Sequence, residues 1–393
     1  MIWRAVFLSF LLGAGLPTVA QEAAPGHYHD LARGALRDVL GHFWTGDATT
    51  GHIVNTSHGR TENLHDPRGG LWERATLYIA MDTAREALGD ADLAQRLTAD
   101  WQRTKTVFTP AELEACGEAS RTNWASDDAG WSALMYLTAY HITKDTAALD
   151  RARGIVNNAF DRWMDDDLGG GMWYRDDHQD KSLYQASIIL AALRLHALTG
   201  DETLRQRAMS CYDWVELHLL RDDGLYWCNY DRNGPIGKRR PDDVKEGGSP
   251  VFLGGCMAMG VVHATLYHTT GEEKYKERAL RTADGLLAKL VTPEGVYIND
   301  RDAWTNGVFA GNWAREVLSL PGIGPRHIQA LKATAESIVK NARTPTGFYG
   351  GSWSGPAEGP GSRWWVKNSR PEQITTSANS LNLVLAAALL EKP

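Results

Sequence analysis

The sequence predicts an all-α protein closed into an (α/α)6 toroid, and three observations carry that expectation. Apolar residues recur at helical spacing along most of the chain, while β-branched alternating runs are scarce. Connections alternate between short turns and long loops rich in Gly, Trp and Asp. The third observation is a repeat: Gly89 to Lys144 and Lys144 to Gly200 are intervals of 55 and 56 residues. A period of that length means stacked helical hairpins.

In chain order the pattern places twelve helices. The first two cover residues 28–43 and 70–88, and a third (91–106) follows the turn at Leu88-Gly89-Asp90. The fourth, 127–143, opens on two aspartates, and 145–163 follows Thr143-Lys144-Asp145. Helix 181–199 ends at Thr199-Gly200-Asp201, which starts 202–220. Helix 251–269 ends at Thr270-Gly271-Glu272, which starts 272–290. Helix 304–319 leads through Pro321-Gly322-Ile323-Gly324 into 325–342, and 375–391 comes last. Asp90, Asp201 and Gly271 sit at turn positions, and acidic residues fill several first turns, as helix starts favour. The likeness between hairpins continues past the turns, over residues 145–151, 201–207 and 272–278.

The helices starting at 127, 181, 251 and 375 are rich in Ala, Leu and Gly with few charges, whereas their partners are charged on one face. An apolar inner helix alternating with an amphipathic outer one is what a closed double ring requires; an open solenoid is the alternative. In the ring, all short turns lie at one end and all long loops (44–69, 107–126, 164–180, 221–250, 291–303 and 343–374) at the other. The loop end is the expected functional face.

Residues 1–20 stand apart. Arg4 is followed by an apolar run from Ala5 to Leu16 and a small-residue cleavage site at Thr18-Val19-Ala20. That is the pattern of a secretory signal peptide cut after Ala20, an uncleaved anchor being the alternative. Residues 21–393 then form a single (α/α)6 catalytic domain, secreted or periplasmic, with no membrane span in the mature chain. A closed toroid has no obligatory edge to cover, so a monomer is expected. The net charge of −7 and the lack of any basic stripe point away from nucleic acid and anionic membranes. Export would permit disulfides among Cys116, Cys211, Cys228 and Cys256, with Cys211–Cys228 the first candidate and buried thiols the alternative. Their spacing matches no zinc motif, and no metal or cofactor is expected.

Aspartate pairs are common here: 165–167, 176–177, 222–223 and 242–243 read as solvated turns, with a calcium loop at 165–167 as a lesser option. Asp127-Asp128 differs in place, opening an inner helix between Asn123-Trp124 and Trp131. If Ser126 caps that helix, both acids are merely favourable first-turn residues. The functional reading is that two crowded carboxyls cannot both ionise easily, which separates a general acid from a nucleophile. Consecutive Cα atoms are about 3.8 Å apart, which suits the roughly 5–5.5 Å carboxyl separation of retaining glycosidases. The helix dipole makes Asp127 the nucleophile and Asp128 the acid/base.

Tryptophan is over-represented, with 15 residues, and it clusters with glycine in the loops. Sugar rings sit on aromatic planes, and glycine lets the backbone approach. Trp72, Asn123, Trp124, Trp131, Trp173, Tyr174, Lys181 and Trp364 are the candidate substrate contacts, for a polysaccharide or oligosaccharide. Trp353 and Trp365 share those loops.

At these residues the chain resembles glycoside hydrolase family 76, the endo-α-1,6-mannanases. The motifs are Asp127-Asp128-Ala-Gly-Trp131, Gly169-Gly-Gly-Met-Trp173-Tyr174, Lys181-Ser182 and Thr199-Gly200-Asp201. The resemblance implies a retaining mechanism on an α-linked polysaccharide. Ser182 and Ala186 stand where the family carries asparagines, Phe252-Leu-Gly-Gly replaces Tyr-Asn-Gln-Gly, and Phe309-Ala-Gly replaces Phe-Lys-Gly. Those departures imply altered specificity or transglycosylation. Two other readings stay open: a non-catalytic glycan-binding or surface-assembly protein, and a sugar epimerase using His263 and His268. Both histidines lie toward the short-turn end, where packing or exposure is the simpler role.

Overall fold

The computed structural model describes residues 24–54, 56–57, 60–61, 71–107, 125–236, 251–299, 307–357 and 370–391. Twelve α-helices lie among them. The outer helices are α1 (His27–Phe43), α3 (Ala91–Val107), α5 (Thr146–Trp163), α7 (Glu202–His218), α9 (Glu273–Lys289) and α11 (Pro325–Asn341). The inner ones are α2 (Leu71–Leu88), α4 (Ser126–Thr143), α6 (Ala186–Thr199), α8 (Leu253–Thr270), α10 (Ala310–Asn312) and α12 (Ile374–Leu389). Each inner helix packs on the next, α2 on α4, α4 on α6, α6 on α8, α8 on the turn after α10, α10 on α12, and α12 back on α2. The ring therefore closes, and the solenoid is excluded.

Burial follows the sequence pattern. Residues 253–264 of α8 and 374–388 of α12 are buried on every side, while α9 and α11 bury one stripe and face water with their charges. Buried leucines such as Leu381, Leu383 and Leu385 each contribute about 2 kcal/mol of apolar burial. Four short turns close on residues in the left-handed region: Gly89 (φ 63°), Lys144 (φ 58°), Gly200 (φ 71°) and Gly271 (φ 72°). Lys144 carries a Cβ where glycine would be unstrained. Lys144→Gly is expected to stabilise the protein by about 0.5–1 kcal/mol; a lowered urea midpoint would refute this.

Short antiparallel strands decorate the loop end. β1 (Trp44–Thr45) pairs with β2 (His52–Ile53), and β3 (Thr56–Ser57) with β4 (Arg60–Thr61). β5 (Lys181–Ser182), β6 (Asn229–Asp231) and β7 (Gly234–Pro235) form a three-stranded sheet. The Ile53 N–H donates to Asp100 at 2.9 Å, and Asp100 is also ion-paired with buried Arg74, so the first loop is pinned to α2 and α3.

Three expectations need correction. Helix 181–199 begins only at Ala186, because Lys181 and Ser182 pair with Tyr230 and Asn229 and a 3₁₀ turn (Leu183–Gln185) intervenes. Helix 304–319 shrinks, within the described residues, to α10 followed by a π-helical turn, Trp313–Val317. Its approach is tight: a Cβ on Gly307 would lie 2.2 Å from the Asn379 carbonyl oxygen. The pair Cys211–Cys228 is not formed, since Cys211, Cys228 and Cys256 are all buried thiols. Cys116 and residues 1–20 lie outside the described residues. Among the described residues no helix is long and apolar enough to cross a membrane.

Candidate active site

Asp127 and Asp128 occupy the second and third positions of α4, at the loop end of the ring. Ala125, not Ser126, takes the N-cap position in an extended conformation. Among the described residues the buried Ser126 hydroxyl has no hydrogen-bond partner, so it does not cap the helix. The capping is done by Asp128, whose Oδ2 accepts from the Ala125 N–H at 3.1 Å. Its own N–H donates to Asp127 Oδ1 at 3.0 Å. The Ser126 N–H is satisfied from outside the helix, by the Tyr174 carbonyl at 2.9 Å.

Asp127 is buried, and Asp128 is half-buried. Desolvation pushes the Asp128 carboxyl up to about 6; the Ala125 N–H and the Arg175 guanidinium oppose the shift without cancelling it. The first turn of a helix, with its exposed N–H groups, favours a carboxylate at the neighbouring position. The site therefore supplies a proton-holding acid beside a second carboxyl group.

Arg175 faces the pair, and Asp180, Tyr184 and Phe252 extend outward from Arg175 and Tyr174; none was a candidate from sequence. Arg175 lies within electrostatic reach of both Asp127 and Asp128, 4.9 Å above the Tyr174 ring. Asp180 is pushed up to about 6 by burial and by Asp177, with Asp231 adding to the rise and Arg175 opposing it. Tyr174 stacks on Tyr184 at 5.4 Å, and Tyr184 leans on Phe252 at 4.6 Å, making an aromatic line beside α6 and α8. The only sequence signal for Arg175 was its place directly after the Gly-Gly-Gly-Met-Trp-Tyr motif.

The other candidates divide. Tyr174 is beside the pair. Trp131 is buried against Phe309 at 4.8 Å. Trp173 is fully buried, one face stacked on His178 at 4.8 Å and its ring 4.7 Å from the Lys181 ammonium, so it is no sugar platform. Lys181 is also fully buried, its ammonium spent on Asp165 and on backbone carbonyls, so it has no donor left for substrate. Trp353 donates to Ser380 Oγ at 3.1 Å from within the core. The Trp72 side chain, Asn123, Trp124, Trp364 and Trp365 lie outside the described residues. His263 is buried in the core, 3.3 Å from Glu216, and His268 is exposed, a placement that offers no facing acid/base pair. Clefts of ≈ 490 and ≈ 540 Å³ open on the outer wall beside α7, away from the aspartates.

The closed double ring of helices and the family model that matches it place the chain among the glycoside hydrolases. The chain belongs to glycosyl hydrolase family 76, whose family model matches residues 28–393. The fold is similar to that of the α-1,6-mannanase of Salegentibacter sp. HEL1_6, at 20% identity and a TM-score of 0.71, over 93% of this chain and 100% of that one. A variant of that enzyme with two consecutive aspartates changed to asparagine, described as inactive, is seen in complex with α-1,6-mannotriose. The family 76 mannosidase of Bacteroides thetaiotaomicron VPI-5482 follows at 16% identity and a TM-score of 0.67, over 93% of this chain and 99% of that one. Dfg5 of Chaetomium thermophilum, in complex with glucosamine, has 14% identity and a TM-score of 0.63, over 94% and 92%. No curated protein matches the chain.

Proposed function

We propose that the protein is an exported, retaining endo-glycosidase acting on an α-linked polysaccharide, with α-1,6-mannan the leading substrate. The observation that carries this reading is the Asp128 carboxyl, which keeps its proton to about pH 6 next to a second acid at a helix start. Asp127 attacks the anomeric carbon as the glycosidic C–O bond breaks and Asp128 protonates the leaving oxygen; water, giving its proton to Asp128, then displaces Asp127 from that carbon. The inactive double-asparagine mannanase variant supports the assignment, because its lesion is also an adjacent aspartate pair. Residues 1–20 are read as a signal removed after Ala20, and residues 21–393 as one catalytic domain, monomeric in solution.

Digestion of α-1,6-mannan, other α-mannans and α-glucans, with products sized and their anomers followed by NMR, tests the proposal. Oligosaccharides of retained configuration support it, and inverted products overturn the mechanism. The general acid must be protonated, so kcat/KM is expected to fall as pH rises through about 6, the value for Asp128. An unchanged rate from pH 5 to 8 would remove Asp128 from that role. A second reading, glycan binding or transfer without hydrolysis, is favoured by the glucosamine complex of the Chaetomium neighbour. Tight glycan binding with no product from any polymer selects it.

A further inference from the structure

We infer that Lys181 serves as an internal cation: its ammonium closes the 165–171 loop as a bound metal ion would, and through that loop positions the first turn of α4. Nζ lies 2.9 Å from Asp165 Oδ1, 2.6 Å from the Asp167 carbonyl oxygen and 2.6 Å from that of Gly170. The Gly171 carbonyl oxygen stands at 3.4 Å. Three short contacts match the three donors of an ammonium, and every ligand is oxygen. The aromatic rings of Trp173 and Trp214 cover the charge at 4.7 and 6.0 Å, and the side chain is 0% exposed.

The loop is shaped for this cation. Gly169, Gly170 and Gly171 all have positive φ (81°, 106° and 76°), a conformation in which a side chain would be strained. A Cβ on Gly171 would fall 2.5 Å from the Trp214 ring, so the backbone is also pressed against its cover. The Asp165 carboxylate, partly open to water, and the inward-facing carbonyls repel one another without a charge at the centre. The calcium-like option at residues 165–167 thus has an occupant, supplied by the chain itself.

The route to the acids is short. Lys181 forms a bridge with Trp173, and the Tyr174 N–H donates to the Asp180 carbonyl at 2.9 Å. The Tyr174 carbonyl accepts from the Ser126 N–H at 2.9 Å, one residue before Asp127. Lys181 is accordingly a positioning residue, and a loosened strut displaces the pair rather than removing it.

The inference about positioning rests on the glycosidase reading, whereas the cation and the strut do not, and the test separates them. Full-length Lys181→Ala and Asp165→Asn would be compared with the unaltered protein by hydrogen exchange, with and without propylammonium, with sodium as control. Exchange at residues 126–128 is expected to rise about tenfold or more while α12 keeps its protection. Propylammonium, and not sodium, restores protection in Lys181→Ala. On a polymer that the unaltered enzyme cleaves, kcat falls about 100-fold with KM within about threefold, since small misplacements act on the reacting geometry. Unchanged exchange at 126–128 in either folded variant overturns the inference, as does equal acceleration in α12. If Lys181→Ala does not fold, Asp165→Asn decides. If no polymer is cleaved by the unaltered protein, the glycosidase reading fails and the exchange result still stands for the strut.

Discussion

Asp128→Asn is expected to slow turnover by orders of magnitude and, at the same time, to stabilise the folded chain above pH 6. The folded carboxyl titrates at about 6 against 3.8 for the unperturbed group. Between those values the native state holds a proton that the unfolded chain has released, so stability falls as pH rises through the window. At about 1.4 kcal/mol per unit, reduced for a carboxyl that keeps some contact with water, the loss is about 2–3 kcal/mol. An asparagine keeps an oxygen to accept from the Ala125 N–H and carries no charge to desolvate. The variant should therefore unfold at higher urea than the parent at pH 8 and at nearly the same urea at pH 4. Its rate should fall about 10²–10⁴-fold, the usual contribution of a general acid. Asp127→Asn should cost about 10⁴-fold or more as the loss of a nucleophile, and it should gain no stability, because a first-turn carboxylate is favourable by about 0.3–1 kcal/mol. A fully active variant at either position would remove the pair from the chemistry. A less stable Asp128→Asn at pH 8 would show that its carboxyl is not desolvated.

Gly130→Ala is expected to have the second large effect, on folding. Gly130 sits on α4 where α6 crosses closest: an added Cβ would lie 1.9 Å from Ser187 Oγ and 2.9 Å from the Ser187 backbone carbon. A rotamer change can move the hydroxyl, but the backbone contact persists. Alanine would otherwise gain roughly 0.5–1 kcal/mol of helix propensity, so the clash must exceed that. Overpacking typically costs about 1–3 kcal/mol, and here it acts between two inner helices buried on every side. A net loss of about 2 kcal/mol or more is expected in urea unfolding, with reduced soluble yield. A variant as stable as the parent would mean that α4 and α6 can separate without cost.

The ring was legible because it rests on local signals: helical spacing, left-handed turn residues such as Gly200 and Gly271, and the regular alternation of loop lengths. The aspartate pair was legible from its place at the start of α4. What escaped depends on contacts distant in sequence. Nothing near Lys181 indicates that it pairs with Tyr230, so its strand read as the first turn of α6. Its basic side chain, just after a glycine-rich loop, read as a sugar contact, while burial and three oxygen partners give it another role. Trp173 failed in the same way, since only the fold reveals that His178 and Lys181 enclose its ring. Arg175 carries no signal beyond its motif, because its importance lies in facing acids 47 and 48 residues earlier in the chain.

Ring closure has a kinetic side. The helix that completes the circle, α12, packs against α2, and Glu391 reaches back to His29 at 2.8 Å. These contacts join residues 306 to 362 positions apart, among the slowest kinds to form because loop closure precedes any gain. Until α12 arrives, α2 and α10 flank an apolar gap, so a chain cut before residue 374 should collect as an aggregation-prone partial ring. The same adjacency makes the described ends interchangeable with any short turn. A permutant that joins residue 391 to residue 24 through a linker and opens at Gly200-Asp201 would keep every helix contact and delay closure to a different pair.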